Sequence, residues 1–217
     1  MRILDHLNRR KFLAGISCLT GAAAWLRNEP LFAGRFEKNK SDERLTERFP
    51  SFQDARSKKV IFVAHCFLNQ NARCNGSAET PSAIPAIPEL LIHRKIGIIQ
   101  MPCPELGCLG LGREGLIYDQ LSTHGNRRYL RLLAQDVMYQ TRQYLRHGFR
   151  VLGILGIDCS PSCGVNCYAD NGAKPGKGAF MEELSDELKN EGLEMPLIGV
   201  ADAETGKAVE SIIKLDS

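Results

Sequence analysis

Val60-Ile61-Phe62-Val63-Ala64 runs straight into His65-Cys66. A short, unbroken apolar stretch rich in β-branched residues is the mark of a strand buried on both faces, as in a parallel sheet. Working outward, the same pattern recurs at 96–101 (Ile-Gly-Ile-Ile-Gln-Met), at 151–157 (Val-Leu-Gly-Ile-Leu-Gly-Ile) and at 196–200 (Pro-Leu-Ile-Gly-Val). The intervals carry helical periodicity. Leu130, Leu133, Ala134, Val137, Met138, Thr141 and Leu145 repeat at three and four residues before Gly148, which predicts an amphipathic helix with a glycine stop. Met181, Leu184 and Leu188 repeat likewise before Gly192, and Ala208, Val209, Ile212 and Ile213 close the chain. A further helix is expected over 80–94, starting at Thr80-Pro81, with early turns made irregular by Pro85 and Pro88. Strands alternating with helices predict an α/β fold: one domain with a mostly parallel, Rossmann-like sheet flanked by helices.

Three cysteines stand just past three of these strands. Cys66 follows the first by two residues, Cys103 follows the second by two, and Cys163 lies a few residues beyond the third. Open parallel sheets bind ligands outside the carboxyl ends of their strands, so these sequence-distant thiols are expected to be neighbours. Their separations of 37 and 60 residues each leave room for the ~30 residues of a βαβ unit. Met101-Pro102-Cys103-Pro104-Glu105 stiffens its cysteine between prolines. Cys159-Ser160-Pro161-Ser162-Cys163-Gly164 offers hydroxyls and amides to an anionic, sulfur-rich group. The convergence points to one metal site, with an iron–sulfur cluster favoured. Disulfides are the competing use, because Cys74, Cys108, Cys159 and Cys167 are all available as partners. Zinc on four thiolates is a weaker reading, since a closed structural site rarely sits at a ligand-binding edge.

The domain is preceded by an appendage. Asn8-Arg9-Arg10-Lys11-Phe12-Leu13 leads into a weakly apolar run to Leu26, a charged region followed by an apolar one of signal-peptide length. The paired arginines before Phe12-Leu13 resemble the twin-arginine export signal, whose machinery carries folded proteins and so permits a cofactor loaded before export. Residues 1–33 are accordingly read as signal, 34–58 as a charged linker and 59–217 as the α/β domain. The expected location is the periplasm, with an uncleaved signal as a possible anchor and no stable transmembrane span in the mature form. Removing residues 1–33 takes five basic residues (Arg2, Arg9, Arg10, Lys11, Arg27) and two acidic ones (Asp5, Glu29) from totals of 28 and 25, leaving 23 of each. A nucleic-acid footprint needs clustered positive charge, which this balance does not supply.

The cysteine contexts resemble the thiouracil desulfidase family, and more closely its TudS-related desulfidases. The matching segments are Ala64-His65-Cys66-Phe67-Leu68-Asn69-Gln70-Asn71-Ala72-Arg73, Pro102-Cys103-Pro104-Glu105, and Gly156-Ile157-Asp158-Cys159-Ser160-Pro161-Ser162-Cys163-Gly164. Together they span the domain from about Val60 to Val200. The resemblance implies a 4Fe-4S cluster on Cys66, Cys103 and Cys163, whose fourth iron takes sulfur from a small thiocarbonyl substrate. Water must then attack the C=S carbon, which calls for an acid/base group. Glu105 leads and Asp158 is second, while Asn71, Ser160, Ser162 and Arg113 are the candidate substrate contacts. A carrier of clusters, metal or electrons without turnover is the alternative function. The chain departs from the thiouracil pattern at Ala72 (usually cysteine), Cys74 (usually tyrosine) and Ile157-Asp158-Cys159 (usually Lys-Ser-Arg). His65, beside a proposed ligand, reads more simply as a packed strand-end residue. The glycine-studded stretch 107–126 is expected to be a mobile loop covering the site.

Overall fold

A computed structural model describes residues 52–115, 117–201 and 205–216. The signal and most of the linker inferred from the sequence lie outside the described residues. In chain order the elements are β1 (Lys59–Val63), α1 (His65–Leu68), a 3-10 turn (Gln70–Ala72), α2 (Ala86–His93), β2 (Gly97–Gln100), α3 (Pro104–Leu109), α4 (Tyr118–Leu121) and α5 (His124–Arg146). There follow β3 (Arg150–Ile157), β4 (Cys167–Ala169), β5 (Ala173–Pro175), α6 (Ala179–Asn190), β6 (Leu197–Val200) and α7 (Thr205–Asp216).

The expected strands become one four-stranded sheet in the order β2-β1-β3-β6. Every pairing is parallel. The fold class is therefore α/β, consistent with a Rossmann-like arrangement. Ile61, Phe62 and Val63 are fully buried, as a strand covered on both faces requires. From β1 the chain moves to β2 on one side and then to β3 on the other, so the order reverses between β1 and β3. The crevice at such a reversal is where open sheets hold ligands. The β1–β3 register slips between Val60 and Phe62, beside Gly153, whose φ of +153° and proximity to the Pro196 carbonyl (2.7 Å from a would-be Cβ) leave no place for a side chain.

Helices α5 and α6 pack on each other, α5 also lies against β3, and α7 contacts α2, β3 and β6. Most of the apolar stripe of α5 is buried as its period predicts: Leu130, Ala134, Val137, Met138 and Thr141 face the core, whereas Leu145 in the last turn is exposed. No helix among the described residues is long and apolar enough to cross a membrane.

Two expectations are corrected. The helix placed from Thr80 starts at Ala86, because Thr80 Oγ1 donates to the Ala83 carbonyl (2.6 Å) in a turn and Pro85 takes the cap position. Pro88 then falls in the first turn, where a missing N–H leaves no bond unmade. The stretch 107–126 is no continuous loop: it holds the end of α3, all of α4 and the first turn of α5. Its glycines misled the reading because one of them is a packing residue. Tyr129 lies so close over Gly107 that any side chain there would overlap its ring. The β4–β5 hairpin was not foreseen, although Asn171-Gly172, both at positive φ, is a recognisable hairpin signal.

Candidate functional site

Helix α3 is started by the sequence that carries Cys103. Pro104 takes the first helical position, where its fixed φ fits and its missing N–H is harmless. Cys103 is the cap, its Sγ accepting from the Leu106 amide at 3.4 Å. Cys66 sits in the single turn α1 right after β1, and the Gln70 amide group donates to its carbonyl at 2.7 Å.

Cys163 is placed by a tight turn from 160 to 164. The Ser160 hydroxyl accepts from the amides of Cys163 (3.0 Å) and Ser162 (3.3 Å), and the Gly164 amide donates to the Ser160 carbonyl (3.1 Å). The same turn caps α6. Amides of Ala179, Phe180 and Met181 donate to the carbonyls of Pro161 and Ser162 at 2.9–3.2 Å, and Gly178 donates to Gly164 at 3.0 Å. These are orphan donors that any helix N-terminus must satisfy. Gly178 is obligatory here, since a Cβ would come within 2.6 Å of the Ser162 backbone.

The three strand-end cysteines line one cavity of about 280 Å³. Cys163 is buried at its base with 5% exposure. Burial pushes the Cys66 thiol up to about 12, helped by the neighbouring Cys103 and opposed by Arg73. Cys103 is also raised, first by burial, and Cys163 is raised well above the ordinary thiol range by burial and by Cys66. Burial is the first cause at all three; Cys66 and Cys163 also feel neighbouring thiols, and Cys103 feels the Glu105 carboxylate. No group of three or more His, Cys, Asp or Glu among the described residues is arranged to hold a single metal ion. A cluster asks for something different, since its thiolates attach to separate irons across a larger body. An all-thiol donor set, spaced around a cavity with amides and hydroxyls beside it, fits that group better than it fits one ion.

Glu105 ties two serines and an arginine of the wall together. Its Oε1 accepts from Ser162 Oγ (2.7 Å) and Ser160 Oγ (3.3 Å). Its Oε2 accepts from Nε and Nη2 of Arg113, both at 3.3 Å. Ser162 Oγ also lies 3.6 Å from Cys163 Sγ, linking the carboxylate to a proposed ligand. Arg113 is no solvated loop residue: its side chain is 4% exposed. It donates to the carbonyls of Ala72 (2.8 Å) and Gly110 (3.2 Å).

Asp158 lines the cavity too, but its carboxylate accepts from the Val165 amide (3.1 Å), the Asn166 amide (2.8 Å) and Asn166 Nδ2 (2.8 Å). That makes it a turn cap. Asn71 is exposed, donates to Asn69 Oδ1 at 3.2 Å, and is absent from the cavity wall. His65 is on the wall, held between Gln100 and Asn69, and burial lowers its basicity.

The structure settles which spare cysteines pair. Cys159 and Cys167 form a disulfide, while among the described residues Cys66, Cys74, Cys103, Cys108 and Cys163 are free. Cys74, set aside on sequence, lines the cavity with Arg73 and Ser77. The signal for it was positional: it belongs to the same connection after β1 as Cys66, which passes the strand's carboxyl end.

Comparison with known proteins adds little beyond the fold. No family model matches the chain, and no solved structure matches it. An uncharacterised protein of Methanocaldococcus jannaschii is 29% identical over 134 residues, covering 62% of this chain and 80% of its own.

Proposed function

We propose that the protein is an iron–sulfur-dependent desulfidase that converts a small thiocarbonyl compound to the carbonyl with release of sulfide. The observation that carries this reading is the meeting of three strand-end thiols in one cavity beside a partly buried Glu105–Ser162 pair. When bound by Cys66, Cys103 and Cys163, a 4Fe-4S cluster supplies an iron with no protein ligand, a Lewis-acid position suited to sulfide leaving carbon.

The protein's own groups do the rest. Glu105 takes a proton from the water that attacks the C=S carbon and returns it to the departing sulfur. Ser162 and Ser160 donate to one oxygen of that carboxylate, so the other is the one nearer to Arg113. Arg113 fixes the carboxylate's plane. Ser160 and Ser162, on the same wall, are the proposed contacts to a substrate polar atom. His65 contributes part of the wall beside Cys66. We place this activity in an oxidising, exported setting: disulfides persist there, and Cys159–Cys167 accords with the twin-arginine-type N-terminus and passage through its machinery.

Anaerobic purification tests the cofactor. About four iron and four sulfide per chain are expected, as in cysteine-held clusters. Cys66→Ala, Cys103→Ala and Cys163→Ala should each abolish them, and Cys74→Ala should not. Incubation with thiouracil and simpler thioamides should then release sulfide. A brown protein that releases none from any of them is a carrier, and colourless protein with intact thiols refutes both readings.

A further inference from the structure

We propose that the Cys159–Cys167 disulfide captures sulfide from the cavity, storing it as a persulfide on Cys159. The proposal rests on the desulfidase reading for the origin of that sulfide, but its chemistry stands on the disulfide itself. Cys159 is part of the cavity wall, exposed, and two residues in sequence from Pro161 and the turn that carries Cys163. Cys167 lies at the start of β4, half-buried, and does not line the cavity. A nucleophile inside the cavity therefore meets one sulfur of the bond and not the other.

Two further features mark this bond as reactive. Cys159 has φ of +59°, a left-handed conformation that disfavours any residue with a Cβ. Exposed or strained disulfides are the exchange-prone ones, in contrast to buried structural bridges. The surrounding turn also holds its shape without the S–S bond. The Cys159 amide donates to the Cys167 carbonyl at 2.8 Å, and Asp158 grips the amides of Val165 and Asn166. Once the bond opens, both sulfurs stay side by side.

The step balances without an outside oxidant. Hydrosulfide forms a bond to Cys159 Sγ, the Cys159–Cys167 bond breaks, and Cys167 leaves as a thiolate. The disulfide is reduced, and the incoming sulfur is oxidised to the sulfane level of Cys159–S–SH. Cys167, held beside it, attacks the inner sulfur to expel hydrosulfide and restore the bridge. Alternatively, a small external thiol takes the outer sulfur, leaving Cys159 and Cys167 as a dithiol. The first path makes the site a reversible sulfide buffer, and the second makes it a sulfur donor.

The test supplies sodium sulfide anaerobically to the full chain, followed by alkylation and peptide mass spectrometry. Oxidised protein should gain one sulfur atom on the Cys159 peptide, with Cys167 newly alkylated and Cys108 unchanged. Protein first reduced with a phosphine and desalted should lose this uptake completely, as should Cys167→Ser. The pre-reduced wild type covers the case in which the variant does not fold. Equal uptake with and without the disulfide overturns the proposal, as does sulfur appearing on Cys167 or no uptake at all. Thioamide turnover is scored separately. Its failure alongside normal sulfide loading counts against the desulfidase reading alone, and the converse counts against persulfide capture alone.

Discussion

Replacing Arg113 by methionine removes one charge from a pair that water scarcely reaches. The guanidinium side chain is 4% exposed and the Glu105 side chain 14%. Surface ion pairs contribute about 0–1 kcal/mol, whereas removing one partner of a buried pair costs about 3–5 kcal/mol because the other charge is stranded. The second figure applies here. Arg113 also satisfies the carbonyls of Ala72 and Gly110, and an unmade buried bond costs about 1–3 kcal/mol. The two contributions overlap, so about 3–5 kcal/mol is the expected loss for Arg113→Met. That is a large share of the roughly 5–15 kcal/mol by which domains are stable. Urea unfolding followed by far-ultraviolet circular dichroism measures it. Glu105→Gln should be costly for the mirror reason, and the double variant Glu105→Gln/Arg113→Met should be less unstable than the sum of the two. A loss below about 1 kcal/mol with additive behaviour would place the pair in the solvated class and refute the view that Arg113 anchors the Glu105 wall.

Other outcomes follow from single contacts. Gly164→Ala should destabilise by about 1–3 kcal/mol, the range for overpacking, because its Cβ would press on the Cys167 carbonyl and lie 2.8 Å from that of Ser160; thermal melts against Gly125→Ala, where space is open, provide the comparison. Asp158→Ala should cost about 1–3 kcal/mol by leaving the Val165 and Asn166 donors unmet, as read by denaturant midpoints; a loss below about 0.5 kcal/mol, the range of ordinary surface changes, would refute its role as the cap of this turn. Tyr118 is raised above its ordinary 10.0 by burial and by its bond to Glu182 (2.6 Å). The unfolded chain ionises this tyrosine first, so its contribution is complete below pH 10 and is lost as pH climbs through the raised value. Above pH 10 the wild type should therefore lose stability faster than Tyr118→Phe, as read by denaturant midpoints.

The fold was legible where burial acts on a strong period. The four apolar runs became the four parallel strands, and the α5 stripe from Leu130 to Thr141 is buried as its spacing requires. The meeting of Cys66, Cys103 and Cys163 was legible for the same reason, because topology alone brings strand ends together. What the sequence hid depended on contacts between distant side chains. Arg113 looked like a loop cation because its partner Glu105 and the Ala72 carbonyl are near it only after folding. Gly107 looked like flexibility because Tyr129, which fills its missing side chain, belongs to α5. Asp158 looked catalytic by position, and only the amides of Val165 and Asn166 reveal it as a cap. Asn71 belongs to a motif that reaches the site, yet the 3-10 turn points it to solvent.

The cavity walls differ in how freely they tolerate change. Around Cys163, side chains at Gly156, Gly164 or Gly178 would overlap backbone atoms, and the turn is bonded into the start of α6. Elsewhere on the wall, Cys74 and Ser77 sit by a turn at Gly76, and Gly115 has open space around it. Tolerance of substitution is then confined by packing: the Cys74–Ser77 and Gly115 side can be changed step by step, whereas the Ser160–Gly164 side changes as a block or not at all. A directed-evolution library built on this chain would be best concentrated at Ser77 and Gly115.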